Sequence, residues 1–527
     1  MVSWGIVLGT IALSILQPLA AIALIIAFDL HWLLRMMHMN FFLALSYLKL
    51  WIEKETDWLE RCRQLKTPHP ATADLDFRQR LSWRWHKKAL ERLQRSGAPR
   101  IGFDEIYHAV LIPVARETRN VVEPGIRSVW ESEFPAAQIL IVLSVEESAG
   151  EAVKRDARAL QEQYRSGLLD FLVTIHPGDI PGEKRVKGAN ATWAARCAGR
   201  FLRERSIDFD NVVASCFDAD TVVSPEYFSC LSYHFLVSPN RLRASFQPIP
   251  VYNNNIWEAP AFARLLAAAS TFFRLVEATN YDSSPTFSSH SISLRALIDI
   301  GYWPVDLVSD DSAVYWRAFL HFNAEYDVVP IYTTLSMDAT QGQTWLRTVA
   351  NVYRQRRRWA QGAELIPLVM KGFLENHRIP LRAKIKFSFR LWEHNVTLHL
   401  WPYLLTVAGW LPAFVAKLRY ANSVASYNGP RITGTILGLS SFGFLIFVLI
   451  GQFLLPRDKA RGGFLRRLPH ALQWLLVPLV TLVFNTIPAL DAHTRLMIGR
   501  RLEYWVTAKN RKLDQMRRGD GYYPTPS

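Results

Sequence analysis

Residues 5–28 and 432–455 contain no charged side chain, and that constrains the chain more than any other feature. About 20 apolar residues in a helix cross the hydrocarbon core of a bilayer, so each run is long enough to be a transmembrane span. Residues 396–416 and 471–490 are comparable runs interrupted by prolines. The chain is therefore read as an integral, multi-pass protein of the cytoplasmic membrane. The first run has no basic residue before it and no clear small-x-small cleavage site, so it is expected to be a retained span, not a cleaved signal. Lys49, Lys54, Arg61, Arg63 and Lys66 follow it. The positive-inside rule puts them in the cytoplasm and the N-terminus outside. His31, Arg35 and His38 interrupt the stretch 31–51, which is either a second span or an interfacial helix. Residues 1–51 thus form an N-terminal membrane region, and 52–101 a basic cytoplasmic linker.

The formal net charge of +15 admits either nucleic acid or an anionic membrane surface as partner. The basic residues cluster beside the apolar runs, where anionic headgroups of membrane lipids account for them; no nucleic-acid partner is expected. Eighteen tryptophans suit membrane interfaces or stacking on sugars and bases. Cys62, Cys197, Cys216 and Cys230 form no CxxC pair and all fall in the cytoplasmic part, so they are read as reduced thiols.

From about residue 102 to about 361 the pattern becomes that of a soluble α/β domain. YHAVLIPVA (107–115), AQILIVLSV (137–145) and NVVASCF (211–217) are short apolar runs of the kind that form buried parallel strands. Asp218-Ala219-Asp220 follows the third run directly, at an exposed carboxyl end of a strand, where open α/β sheets bind ligands. Two carboxylates one residue apart can approach one hard divalent cation, which would neutralise a departing diphosphate; a solvated turn is the other reading. Lys187-Gly188-Ala189-Asn190 opens a helical stretch and offers an ammonium and amides to a phosphate. Ser309-Asp310-Asp311 follows the strand-like GYWPVDLV and provides either a general base towards a hydroxyl or a helix N-cap pair. Gln355, Arg358 and Trp359 stand at i, i+3 and i+4, on one helix face. An amide, a guanidinium and an indole there suit hydroxyl bonding, phosphate pairing and sugar stacking. Arg356 and Arg357 point elsewhere and read as a surface or lipid-facing charge patch.

DAD at 218–220, SDD at 309–311 and QRRRW at 355–359 resemble, in order and rough spacing, the signature set of membrane-bound family 2 glycosyltransferases. Cellulose synthases, hyaluronan synthases and ceramide glucosyltransferases belong to that group. The resemblance covers about residues 107–361. It implies an α/β GT-A domain, a Rossmann-like mixed sheet, flanked by transmembrane helices. It implies that Asp218 and Asp220 bind the Mg2+ or Mn2+ of a UDP- or GDP-sugar, with Lys187 also at the donor. Asp311 would deprotonate the acceptor hydroxyl in an inverting displacement, while Asp310, Gln355, Arg358 and Trp359 would hold acceptor and diphosphate. The family usually carries an Asp after the second strand to accept a hydrogen bond from uracil. Here SVEES (144–148) offers Glu146 or Glu147, or the base is not uracil. YWVTAK (504–509) resembles the FxVTxK gating loop of cellulose synthase, with Tyr504 in place of Phe. Thr507 and Lys509 would then contact the diphosphate as the loop closes.

The remaining chain divides accordingly. Residues 362–395 read as an amphipathic interfacial region and 396–498 as a membrane region with spans at 396–416 and 432–455. The next loop carries Arg457, Lys459, Arg461, Arg466 and Arg467, as a cytoplasmic loop does. Pro478, Asn485 and Pro488 interrupt 471–490, which is expected to be re-entrant or interfacial. That keeps the basic tail, 499–527, on the cytoplasmic side. The function expected is transfer of a sugar to a growing polysaccharide, exported with a partner subunit or an oligomer. The alternatives are single-sugar transfer to a lipid, or a catalytically silent scaffold that binds nucleotide or glycan.

Overall fold

The computed structural model describes residues 1–66, 75–97, 101–279, 285–419, 423–454 and 472–500. Among them, eight strands form one mixed sheet: β1 (Tyr107–Val114), β2 (Ile139–Glu146), β3 (Asp170–His176), β4 (Val212–Cys216), β5 (Val222–Val223), β6 (Ala244–Val251), β7 (Ser291–Ser293) and β8 (Asp327–Ser336). Their order is β3-β2-β1-β4-β7-β6-β8-β5. Strands β3, β2, β1 and β4 run parallel. The short β7 runs against both β4 and β6, so the sheet reverses beside the end of β4. The Rossmann-like GT-A sheet with flanking apolar helices is the architecture the chain adopts.

The central strands read as continuous apolar runs because both sheet faces are covered. Successive side chains alternate between the faces. Ala109, Leu111, Leu140, Val142 and Ala214 enter one core with Ala191, Ala194, Ala195 and Ala198 of the helix Lys187–Glu204. Val110, Ile112, Ile141 and Leu143 enter the other, with Val122 and Ile126 of Arg119–Trp130 and Leu160 of Glu151–Tyr164. The alanine-rich face lets Lys187–Glu204 lie close to the sheet, which brings its first residue to the strand ends.

Four helical segments are long and apolar enough to cross a membrane: Pro18–Glu53, Leu381–Leu418, Ser426–Gly451 and Gln473–Met497. The uncharged run 5–28 is not one helix. Val2–Leu16 ends at Gln17, and Pro18 starts the next helix, because proline has no N–H to continue the ladder. Val7 and Thr10 meet Tyr403, while Ser3 and Trp4 bond His493 and Thr494 at 2.8 Å each. In the following helix Trp32 stacks on Trp401 at 4.6 Å and Arg35 pairs with Glu393. The first two helices therefore form a hairpin, and Met1 lies towards the α/β domain, not opposite to it as the charge pattern suggested. The stretch 31–51 continues the same 36-residue helix, Pro18–Glu53.

The segment Gln473–Met497 rests on the α/β domain at both ends. Trp474 stacks on Phe272 at 5.8 Å and Phe484 on Phe262 at 5.0 Å, both in the helix Ala261–Ala278. At the far end Asp491 takes Tyr353 and Arg357 of the helix Trp345–Ala360. Asn485 donates to the Leu398 carbonyl at 2.8 Å, the group that Pro402 leaves without its helical N–H.

Candidate active site

The carboxyl ends of β1, β2 and β4 open onto a cavity of about 1330 Å3. Asp218 and Asp220 follow β4, and Lys187 begins the helix after β3. Lys187 Nζ lies 2.7 Å from Asp218 Oδ1 and 3.4 Å from Asp311 Oδ1. Burial works against its charge, but the two carboxylates outweigh that and hold its pKa well above the usual lysine value. Gly188 is required for this approach: a Cβ there would stand 2.3 Å from the Pro304 carbonyl and 3.0 Å from Asp310 Cβ. Asn190 Nδ2 donates to the Ser144 carbonyl at 3.1 Å and ties the helix start to the end of β2.

Asp220 is not the exposed acid expected from the sequence: it is 1 % exposed. The chain turns inward after β4, and Asp220 Oδ2 accepts the Asp338 backbone N–H at 2.9 Å. Asn254 Nδ2 joins the Asp220 carbonyl and Asp338 Oδ1 at 3.1 and 3.0 Å. Asp310 and Asp311 open the helix Asp310–His321. Asp310 is buried and its Oδ2 has no hydrogen-bond partner among the described residues. Burial first, then the charge of Asp311, raises its pKa.

The three side chains read as one helix face all line the cavity. Gln355 Oε1 accepts from Thr340 Oγ1 at 2.8 Å, and Trp359 meets Phe287 edge to face at 6.0 Å. Arg356 and Arg357 are not a lipid-facing patch. Arg356 donates to the Leu266 carbonyl and lies 4.7 Å over the Trp359 ring, and Arg357 pairs with Asp491 at 2.8 Å. Arg356 also lines the cavity, while Arg357 ties its helix to Gln473–Met497. Glu146 lines the cavity and Glu147 does not. Glu146 Oε2 contacts His176 Nδ1, and Glu183 contacts Nε2, each at 3.0 Å. Glu147 accepts the Gly178 N–H. Tyr504, Thr507 and Lys509 lie outside the described residues.

Sequence reasoning missed the segment Phe287–Ser288–Ser289–His290. Ser288 Oγ bonds Asp218 Oδ2, and Ser289 Oγ bonds the Asp218 N–H and Thr221 at 3.1 and 2.7 Å. His290 Nδ1 is 3.8 Å from Asp311 Oδ1. The only signal was a polar Ser/His run leading into a strand of three residues. The acidic residues supply hard oxygen ligands, although no group of three or more His, Cys, Asp or Glu side chains in metal-binding geometry occurs among the described residues.

Residues 215–488 match the family model described as glycosyl transferase family group 2. The chain belongs to that family. It is a glycosyltransferase, and the match takes in Asp218, Asp220, Asp311 and the Gln355–Trp359 helix. The chain is 24 % identical over 215 residues to poly-β-1,6-N-acetyl-D-glucosamine synthase of Staphylococcus aureus (strain COL), covering 39 % of this chain and 48 % of that protein. It is 23 % identical over 244 residues to the synthase of the same description from Staphylococcus epidermidis, covering 45 % and 53 %. The chain thus spans about half the length of the curated relatives it matches. Among solved structures, the mannosyltransferase PcManGT of Pyrobaculum calidifontis, in complex with GDP-Man and Mn2+, aligns with a TM-score of 0.38 at 13 % identity, over 76 % of this chain and 99 % of that one. TarS residues 1–349 of S. aureus, in complex with UDP-GlcNAc, aligns with a TM-score of 0.34 at 11 % identity, over 67 % and 93 %.

Proposed function

We propose that this glycosyltransferase moves a sugar from a UDP- or GDP-sugar to a hydroxyl of a growing polysaccharide, with inversion, at the cytoplasmic membrane face. One observation carries the reading. The cavity that holds Asp218, Asp220, Asp311, Gln355, Arg358 and Trp359 continues between the apolar helices, where Trp32, Met36, Trp401, Phe444 and Phe447 line it. Donor chemistry at one end and aromatic walls at the other suit an extended acceptor, and the poly-N-acetylglucosamine synthases among the relatives support a polymer as product.

Asp218 and Asp220 are the residues to hold Mg2+ or Mn2+. Their carboxylates suit a hard cation, and Asp218 is held by side chains, Lys187 and Ser288. Such an ion would supply charge neutralisation of the leaving diphosphate. Asp311 accepts the proton of the acceptor hydroxyl as its oxygen attacks the anomeric carbon opposite the diphosphate. Lys187 and Arg358 face the phosphates, Trp359 stacks on the acceptor sugar, and Gln355 and Asp310 bond its hydroxyls. Glu146, on the cavity wall, is better placed than Glu147 to meet the base. The contacts of Gln473–Met497 with the catalytic domain at both ends support an interfacial course for it, and Thr507 and Lys509 are proposed to contact the diphosphate.

The apolar wall also favours a second acceptor, a membrane lipid taking one sugar. Purified protein in nanodiscs, given a panel of radiolabelled nucleotide-sugars with Mg2+ or Mn2+, separates these readings by product size. A long alcohol-insoluble glycan supports polymerisation, and a solvent-extractable single-sugar product supports the lipid. No transfer from any donor by folded protein would leave the silent scaffold.

A further inference from the structure

We propose that the helix Phe77–Ser96 is a docking surface for the anionic headgroups of the bilayer. The inference is independent of the reaction catalysed. The helix begins with a full capping box, Asp76 with Gln79, and buries Ser82, His86 and Leu93 against the catalytic domain, where His86 bonds Tyr233 at 2.7 Å. At 100° per residue, the opposite face carries Phe77, Arg80, Arg84, Lys87, Lys88 and Arg95, all exposed, with Glu91 as its one acid. Among the described residues no carboxylate pairs with Arg84, Lys87 or Lys88. Five cations within about a third of the circumference repel one another in water, and such a stripe is stabilised when an anionic surface lies against it.

Its position says which anionic surface. The helix Pro18–Glu53 exposes an apolar row, Leu34, Met37, Phe41, Leu45, Leu48 and Trp51, that reaches its catalytic-domain end. The lipid-contacting surface therefore extends as far as Trp51, and tryptophan sits at the headgroup level. There the Arg78 guanidinium lies 3.9 Å over the Trp51 ring, and Lys49 lies 5.5 Å from the Trp85 ring. These contacts fix Phe77–Ser96 at the height of the headgroups. Phe77, 68 % exposed, adds an aromatic anchor beside the cations. Each cation near such a surface is worth about a fivefold gain in partitioning.

The test uses the full chain in nanodiscs of phosphatidylcholine with or without phosphatidylglycerol. An environment-sensitive fluorophore is placed on Gln94→Cys, beside the stripe, in a Cys197→Ser background; the other three cysteines are buried. Phosphatidylglycerol should lower quenching of the probe by aqueous acrylamide about twofold or more. The effect should vanish in molar salt, where the Debye length is about 3 Å. The triple change Arg84→Gln, Lys87→Gln, Lys88→Gln should abolish it, and these exposed sites keep helix propensity with Gln. Equal quenching in both lipids, or a lipid effect that persists in a normally melting triple variant, overturns the proposal. Shielding by an added RNA oligonucleotide but not by phosphatidylglycerol also overturns it.

Discussion

Lys187 lies between the carboxylates of Asp218 and Asp311, so the three side chains form one charged cluster at the strand ends. Asp311→Asn keeps size and most hydrogen bonding but removes the proton acceptor. Turnover should fall about 10²–10⁴-fold, the usual worth of a general base, while nucleotide affinity measured by calorimetry holds. Collapse of affinity with normal residual turnover would make Asp311 a ligand instead. Asp220→Ala should behave differently, because Asp220 is buried and accepts the Asp338 N–H, and alanine leaves that donor without its acceptor. Loss of transfer should come with a stability loss of about 1–3 kcal/mol, read in denaturant; an unchanged midpoint would contradict the buried contact. His176 supplies a pH test. Burial works against its charged form, but Glu146 and Glu183 more than offset that, so its pKa is raised. A raised folded pKa gives stability that is complete below the unfolded value and is lost as pH rises through the folded one. Glu146→Gln should therefore lower Tm more at about pH 6 than at about pH 9, where the imidazole of both proteins is neutral. Equal losses at both would remove the imidazolium from the account.

At the scale of elements, the start of Lys187–Glu204 sets the site, and Gly188 is its narrowest point. Gly188→Ala places a methyl against the Pro304 carbonyl and Asp310, and neither is the free end of a flexible chain. We expect the helix start to shift, transfer to drop at least about tenfold, and stability to fall about 1–3 kcal/mol; wild-type kinetics would show that the close approach is relaxed in solution. The legibility of the other elements follows from their physics. β1, β2 and β4 announced themselves as apolar runs because both sheet faces are covered. β7, three residues long, and β5, two residues long, carry too few side chains to show any period. The acidic motifs were legible because their chemistry is local to one turn each. The Phe287–His290 segment was not, since its role arises only when β7 carries it alongside β4. Arg356 and Arg357 were misplaced for the same reason: their partners, Leu266 and Asp491, are distant in sequence. The proline in the first apolar run was visible, yet whether it kinks or ends a helix depends on what the two halves pack against.

At the scale of the whole molecule, the question is which side of the membrane each end of the bundle faces. Three contacts orient it. Gly429 lies against Ile22, Gly443 against Asn40 and Gly451 against Phe272 of the catalytic domain, so Pro18–Glu53 and Val424–Leu454 run in parallel towards that domain. Leu381–Leu418 runs the opposite way, because Arg35 meets Glu393 near the domain and Trp32 meets Trp401 further from it. The turn at Gln17 and residues near Val424 therefore share the face remote from the catalytic domain, while Ser3 and Trp4 return to it. Single cysteines at Val424, which is 78 % exposed, and at Val2 should differ in an intact-cell assay with an impermeant thiol reagent. Val424→Cys should react from outside, and Val2→Cys only after the membrane is opened. Labelling of Val2→Cys from outside would break the hairpin and restore a single crossing by residues 5–28. With the hairpin intact, the helices long and apolar enough to cross include Pro18–Glu53 before the α/β domain and Leu381–Leu418 and Ser426–Gly451 after it. The domain's own helices, Ala261–Ala278 and Trp345–Ala360, then serve as the floor on which Gln473–Met497 lies. On the proposed function, a cavity bounded by that floor and by these helices would give an acceptor access to Asp311 from between the helices.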